Sequence, residues 1–361
     1  MRLGLNLGYW GSGGEGSGRG GSGGEGSDAL ALAQAADRLG YAVVWAAEAY
    51  GSDAVTVSAW VAAHTRRVDV GTAVMQIPAR TPAMTAMTAA TLDALSNGRF
   101  RLGLGVSGPQ VSEGWHGVRY DKPLGRTREY VDVVRAALRR ERLEFSGAHY
   151  ELPLPDGPGK ALTLTVHPVR DRIPLYLAAV GPKNLELCGE VADGWLAVFL
   201  SPERSEDSLA HVRAGRERAG AAGLDGFDVA ATVPLVVGAD IAACADAVRD
   251  HAALYLGGMG RREQNFYNAL ARRMGYESAA QEVQDRYLAS DYAGAAAAVP
   301  LEFLDETSLL GPAERIAERM RAYAAAGVTT LNVAVRGASR DERLAAVRTA
   351  AEALDASGVA S

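Results

Sequence analysis

The eight residues LAAVGPKN (177–184) run an apolar stretch into Gly181, Pro182 and Lys183. Glycine permits a tight turn, proline suits the first position of a helix, and the first amides of that helix lack intrahelical partners. Those amides and the partial positive charge at a helix start favour an anion, to which Lys183 adds a full charge. An ordinary strand-to-helix turn with a solvated lysine has the same spacing. In WAAEAYG (45–51), Glu48 could be an acid, an acceptor for a ligand ring, or a cap for the next helix. Asp53 already occupies the cap position, which favours a ligand-facing Glu48. In VSGPQVSEGWHG (106–117), His116 reads as a surface histidine and no serine sits in a G-x-S-x-G elbow. His64, His149, His167, His211 and His251 have no metal-ligand spacing, so no metal is expected.

The stretch GSGGEGSGRGGSGGEGS (11–27) raises a phosphate-cradling alternative. The pattern G-x-G-x-x-G fits it from Gly11, Gly16, Gly18 or Gly21, and a fingerprint that fits in several registers specifies none. Residues 11–27 are therefore expected to be a flexible insertion behind the first strand.

These residues need elements to position them. The chain of 361 residues is 48% hydrophobic and 22% charged, enough to bury a large core. Its 37 basic and 43 acidic residues leave a net charge of -6, which offers no footprint for nucleic acid or an anionic membrane. A small-molecule substrate is expected. Cys188 and Cys244 are too few for a disulfide framework, no apolar run is of membrane length, and an unsecreted, cytoplasmic protein without a leader is expected.

Eight apolar runs read as buried strands, beginning with RLGLNLGYW, YAVVWAAE, VDVGTAVM and FRLGLGVSG. IPLYLAAV, DGWLAVFLS, FDVAATVPLVVG and VTTLNVAV complete the set. Helical patterns separate them, with Asp28, Asp53 and Thr81 as expected N-caps and Gly40 and Gly98 as stops. A helix is expected over 124–140, then a hairpin in RLEFSGAHYEL with a Ser-Gly turn. Residues 239–310 read as a helical insertion without strands. One α/β domain over 1–361, a closed (β/α)8 TIM barrel with this insertion between strands 7 and 8, is expected; an open doubly wound sheet is the competitor. A barrel puts function at the carboxyl ends of its strands. Trp10, Trp45 and Trp195 are expected in the core.

LGYAVVWAAEAYGSDA, VDVGTAVMQIPARTPAMTAMTAATLDALSNGRFRLGLGVSG and IPLYLAAVGPKNLELCGEVADGWL resemble the bacterial luciferase-like superfamily. Within it they resemble the coenzyme F420-dependent oxidoreductases related to methylenetetrahydromethanopterin reductase. The resemblance implies a barrel, commonly a homodimer, with F420 in the mouth for hydride transfer to or from a carbonyl, imine or activated alkene. It implies a cis peptide from Ala73 to Val74 behind the deazaflavin ring, with Gln76, Ser107 and Gly108 nearby. Ala179, Val180, Gly181, Pro182 and Lys183 would hold the coenzyme phosphate, joined by Ser201. Glu48 would orient the ring or relay a proton. Many relatives have Asp-His where this chain has Glu48 and Ala49, which removes an imidazole there. Gln110 replaces the proton-donating Glu of sugar-phosphate dehydrogenases and argues against that substrate class; Glu113 is a weaker contact candidate. An FMN-dependent monooxygenase and a non-catalytic flavin- or ligand-binding barrel are the alternatives.

Overall fold

The computed structural model describes residues 1–9 and 25–361. Trp10 and most of the glycine-rich stretch, with the expectation placed on them, lie outside the described residues. Eight parallel strands are numbered here in chain order: β1 (Arg2–Asn6), β2 (Val43–Ala46), β3 (Asp69–Thr72) and β4 (Phe100–Gly105). They continue as β5 (Leu175–Ala178), β6 (Gly194–Val198), β7 (Asp228–Val237) and β8 (Thr330–Val335). Each pairs with the next, and β8 returns to β1 with Leu331 opposite Leu3, which closes the barrel. The open sheet is excluded. All four residues of β2 and all six of β4 are buried, as expected where helices cover one face and the barrel interior the other.

Side-chain alternation divides each strand between two cores. Val44, Val70, Leu102, Leu104 and Leu177 point outward into the layer beneath the helices. Val43, Trp45, Tyr176, Leu196 and Ala230 point inward and fill the barrel. Trp45 donates its indole N–H to Asn332 Oδ1 at 2.9 Å. Room for these rings comes from glycine: a Cβ on Gly71 would stand 2.4 Å from Trp45, and one on Gly194 would stand 2.4 Å from Tyr176. Arg101 closes the amino-terminal end, donating to Asp69 Oδ2 at 2.8 Å, the Tyr176 hydroxyl at 3.1 Å and Asp228 Oδ2 at 3.3 Å.

Local signals were obeyed at most helix ends. The Thr56 amide donates to Asp53 Oδ2 at 2.7 Å, and the Met84 amide donates to Thr81 Oγ1 at 3.2 Å. Gly40 and Gly98 take left-handed φ of 79° and 76°, the conformation that ends a helix at least cost without a Cβ. Four expectations need correction. The first helix spans Glu25–Arg38, so the expected insertion overlaps its first turn and Asp28 is not its cap. The Asp28 carboxylate instead accepts from Arg343 Nη2 at 2.7 Å, latching the first helix to the last, Arg340–Ser357. The hairpin pairs Ser146 with Glu151, so its turn is the longer Gly147–Tyr150 and not a two-residue Ser-Gly turn. The insertion packs its own apolar core from Ala245, Val248, Val283, Phe303 and neighbours, and ends in a short strand, Leu309–Gly311, that pairs beside β7. The loop after β4 contains a short helix, Pro109–Gly114.

Candidate active site at the barrel mouth

One step above Trp45 and Tyr176, the inward positions given by strand register are Asn6, Ala73, Gly105, Ala178, Val198, Thr232 and Ala334. Except for the buried Gly105, all are half-buried, whereas the layer beneath is closed. Small side chains above a filled layer make a shallow floor, the shape that receives a flat ring. Ala73–Val74 is a cis peptide on this floor, and Val74 lies across Gly105, where a Cβ would stand 2.6 Å from its Cγ2.

Beside the floor, β3 resumes at Met75–Gln76, pairing with Leu104 and Gly105. Met75 turns outward into the helix layer, which by alternation leaves the Gln76 side chain on the mouth side. Gln76 is 2% exposed, and among the described residues neither its Oε1 nor its Nε2 has a hydrogen-bond partner. Its amide N–H donates to Glu48 Oε1 at 3.2 Å. The Glu48 carboxylate also accepts from Arg80 Nη1 at 2.6 Å, from Arg80 Nη2 at 2.9 Å and from the Ala54 amide at 3.1 Å. Arg80 also pairs with Asp53. Burial opposes the Arg80 charge, but the hydrogen bonds and charge of Glu48, with Asp53 behind, outweigh it and hold the guanidinium's pKa above its ordinary value. Glu48 is therefore not a free carboxylate at the ligand face. It is a positioning residue that joins the end of β2, the end of β3 and the next helix.

On the other side of β4, β5 leads through Ala179 and Val180 to the helix Pro182–Val191. Gly181 is its N-cap in extended conformation, φ −87° and ψ 155°, so the turn does not use glycine's left-handed freedom. Among the described residues no side chain caps this helix, and a Cβ on Gly181 would meet nothing within 4 Å. The first-turn amides of Lys183 and Asn184 are therefore available to an anion. The Lys183 side chain lies elsewhere: it lines an outer hollow with Leu124, Arg128, Leu187 and Glu190, between its own helix and Pro123–Leu138. The cation at the turn is Arg273, from the insertion, whose Nη2 donates to the Val180 carbonyl at 3.0 Å. Among the described residues Arg273 forms no ion pair. A cleft beside the turn is lined by Val180, Trp195, Phe199, Ser201, Arg204 and Met274.

The luciferase-like monooxygenase family model matches residues 5–330. The chain belongs to that family. It is 42% identical over 359 residues to a Mycobacterium tuberculosis protein provisionally named a coenzyme F420-dependent oxidoreductase, covering 96% of this chain and 99% of that one. It is 28% identical over 302 residues to the 5,10-methylenetetrahydromethanopterin reductase of Archaeoglobus fulgidus, 81% of this chain and 85% of the relative. The coenzyme F420-dependent tetrahydromethanopterin reductase structure from Methanopyrus kandleri superposes with a TM-score of 0.79 at 21% identity, covering 98% of this chain and 97% of that one.

This luciferase-like barrel brings together some of the expected residues and separates others. Ala73, Val74 and Gln76 lie together past the end of β3, and Gly181 follows β5 at the same, carboxyl end of the barrel. Ser107, with a φ of 61°, and Gly108, the N-cap of Pro109–Gly114, stand on its rim after β4. Ala179 and Val180 contribute backbone whose carbonyls are already used, by the Trp195 indole at 2.9 Å and by Arg273. Ser201 is 2% exposed and donates its hydroxyl to Glu203 at 2.9 Å, so it does not offer that proton to an anion. Trp45 and Trp195 are core residues. Glu113 accepts from the Tyr120 amide at 3.1 Å and fastens the loop over 106–122. His116 in that loop is not a plain surface residue: its Nε2 is buried and has no hydrogen-bond partner among the described residues, as is true of the Tyr120 hydroxyl, whose pKa burial pushes up to about 12. Arg273 and Tyr120 were missed from sequence. A basic residue in a distant helix gives no spacing signal, and a phenol's orphaned hydroxyl is visible only in three dimensions.

Proposed function

We propose that the protein is a coenzyme F420-dependent oxidoreductase acting on a small carbonyl, imine or activated alkene. When bound, the deazaflavin supplies two-electron hydride chemistry; the protein supplies position, charge complementarity and exclusion of water. The observation that carries this reading is the open helix start at Gly181–Asn184, flanked by Arg273, beside a floor of small residues that includes Ala178 of the preceding strand. An anionic tail fits the first, and a flat ring fits the second.

In this reading Ala73, Val74 and Gln76 line the ring site, Ser107 and Gly108 border it, and the amides past Gly181 hold the phosphate with Arg273. Lys183 contributes its backbone, and its ammonium acts only at longer range. The Glu48–Arg80 pair keeps Gln76 in place. FMN has a comparable ring and phosphate, and the family model carries a monooxygenase description; binding decides between them. Titration with F420 and with FMN, followed by fluorescence, is expected to show saturable F420 binding and at least tenfold weaker FMN binding. The reverse order would replace this reading with a flavin monooxygenase.

The protein is further proposed to act as a homodimer. Trp60 on the helix Ala54–His64 and Met84 and Met87 on Pro82–Leu95 are each about half exposed, at 51%, 51% and 50%. Met84 and Met87, three residues apart, share one helix face. Large apolar side chains grouped on neighbouring outer helices are the composition of an interface core.

A further inference from the structure

The contacts assigned to the deazaflavin lie past β3, β4 and β5, on one half of the mouth. The other half, from β6 round to β2, is furnished with aromatic rings. Val198 is the floor residue of β6, and Phe199 follows it with a φ of 50°, left-handed backbone that a bulky residue seldom adopts. The Phe199 ring enters the insertion, where it meets Tyr255 and Tyr267 edge to face with centroids at 5.4 and 6.2 Å. The two tyrosines stand 4.8 Å apart, and His251 lies 4.7 Å from Tyr255. Phe199 is buried, Tyr255, Tyr267 and His251 are partly covered, and Val198 packs against the same cluster. The floor at β6 therefore abuts a group of rings.

More rings link the insertion to the loop after β2. Helix Ile241–Ala253 ends in a turn of π-helix, Leu254–Gly258, a widened turn of the kind that recurs at functional sites. Its two glycines receive Tyr287: a Cβ on Gly257 would stand 2.4 Å from it, and one on Gly258 would stand 2.5 Å away. Beside Tyr287 are Tyr292, at 4.9 Å between centroids, and Tyr50 from the loop after β2; burial and these two neighbours raise the Tyr287 pKa. Tyr50 is 57% exposed, and its loop packs through Gly51 on Tyr9, which follows β1. Rings that only held the insertion in place would be covered, as Phe303 is, whereas Tyr50, Tyr255 and Tyr267 keep open surface. Open aromatic surface holds a flat π-system by offset or edge-to-face contact in addition to apolar burial. Such contact also fixes the plane of the bound molecule, and hydride transfer needs the accepting carbon held in position over the donor.

We propose that the β6–β2 half of the mouth is the substrate subsite, and that it takes a carbonyl or alkene substrate carrying an aromatic or conjugated ring, held by Tyr50, Tyr255 and Tyr267. This rests on the deazaflavin reading above and names the class of substrate for it.

Two enones that share a reacting group separate a ring from apolarity alone: 4-phenyl-3-buten-2-one and 3-octen-2-one. Each is titrated by calorimetry into the ligand-free protein and into protein loaded with oxidised F420, which has no hydride to give them. The loaded protein is expected to bind the phenyl enone at least about fivefold more tightly, each ring contact contributing about 2- to 10-fold. Tyr50→Ala and Tyr255→Leu are each expected to cut that preference at least about twofold, with F420 affinity within about twofold of wild type. Tyr255→Phe, which keeps the ring, is expected to retain the preference. Tyr50 is more than half exposed, so a Tyr255→Leu protein that fails to fold leaves the Tyr50→Ala comparison standing. The octenone bound as tightly as the phenyl enone, or neither bound, overturns the proposal. So does a preference that survives both Tyr50→Ala and Tyr255→Leu, or one that Tyr255→Phe abolishes. Wild type that fails to bind F420 defeats the deazaflavin reading instead, and the ligand-free titrations then decide the subsite: a phenyl preference upholds it and equal binding removes it.

Discussion

Replacing Glu48 by glutamine separates a brace from a proton relay. The carboxylate accepts four hydrogen bonds at 2.6 to 3.2 Å, two from Arg80 and two from main-chain amides, and its side chain is 8% exposed. Glutamine keeps the size but offers one acceptor oxygen, and its NH2 group would face donors. Two of the four bonds are lost and the Arg80 charge loses its main partner. Hydrogen bonds to charged groups contribute about 1.5–3 kcal/mol each, and breaking a buried pair costs about 3–5 kcal/mol. Asp53 continues to share the Arg80 charge, and Arg80 remains 18% exposed, so the net loss is placed at about 2–4 kcal/mol. In a chain of this length that lowers the unfolding midpoint by several degrees. The assay is thermal and urea unfolding of the ligand-free protein, with F420 titration in parallel. Affinity falls too, because the brace that holds the Gln76 backbone loses two of its four bonds. Replacing Arg80 by methionine together with Glu48→Gln is expected to cost less than the two single losses added, since neither charge is then left facing nothing. A Glu48→Gln protein that unfolds within a degree of wild type and binds F420 equally well would refute the brace and restore the carboxylate as a proton-transfer group.

Arg273→Ala is expected to weaken F420 binding about 5- to 20-fold at low salt, with less effect as ionic strength rises, and to leave the tail-less chromophore unaffected; isothermal titration at two salt concentrations checks it. Met87→Asp puts a charge on the proposed dimer face and is expected to shift the protein to a monomer in light scattering with its fold intact by circular dichroism. Burial raises the Asp53 pKa, but its hydrogen bonds to Thr56 and the Arg80 charge outweigh this and leave it below the ordinary 3.8. Its stabilising contribution is thus complete above pH 3.8 and fades as pH falls through the lower folded value. The stability gap between wild type and Asp53→Asn is expected to be constant from neutral pH to about that point and to close below it in urea unfolding.

The barrel was legible because its determinants are local and periodic. Eight apolar runs of similar length, each ended by glycine or a capping residue, leave few arrangements other than closure, and Asp53, Thr81 and Gly98 act where their types predict. Asp28 was misplaced because its partner, Arg343, lies at the other end of the chain and overrides the local capping signal. The site was legible as backbone and less so as side chains. The turn at Gly181 follows from its own residues, and the bulge at Ala73–Val74 was reached through the family resemblance. Lys183 was expected beside the anion because it is adjacent in sequence, yet helical geometry turns it to the outer hollow, and Arg273 reaches the turn from about ninety residues away. Glu48 has the residue type of a catalyst, and only the arrival of Arg80 shows that its charge is already used.

The central claim, that the amides beginning the helix after β5 receive the anionic tail of a deazaflavin, is tested most directly by a crystal structure of the complex with F420. The account places the phosphate about 3 Å from the amide nitrogens of Lys183 and Asn184, with the Arg273 guanidinium against it and the ring over Ala73–Val74. A phosphate bound instead beyond β7 and β8, with those amides facing only water, would contradict it.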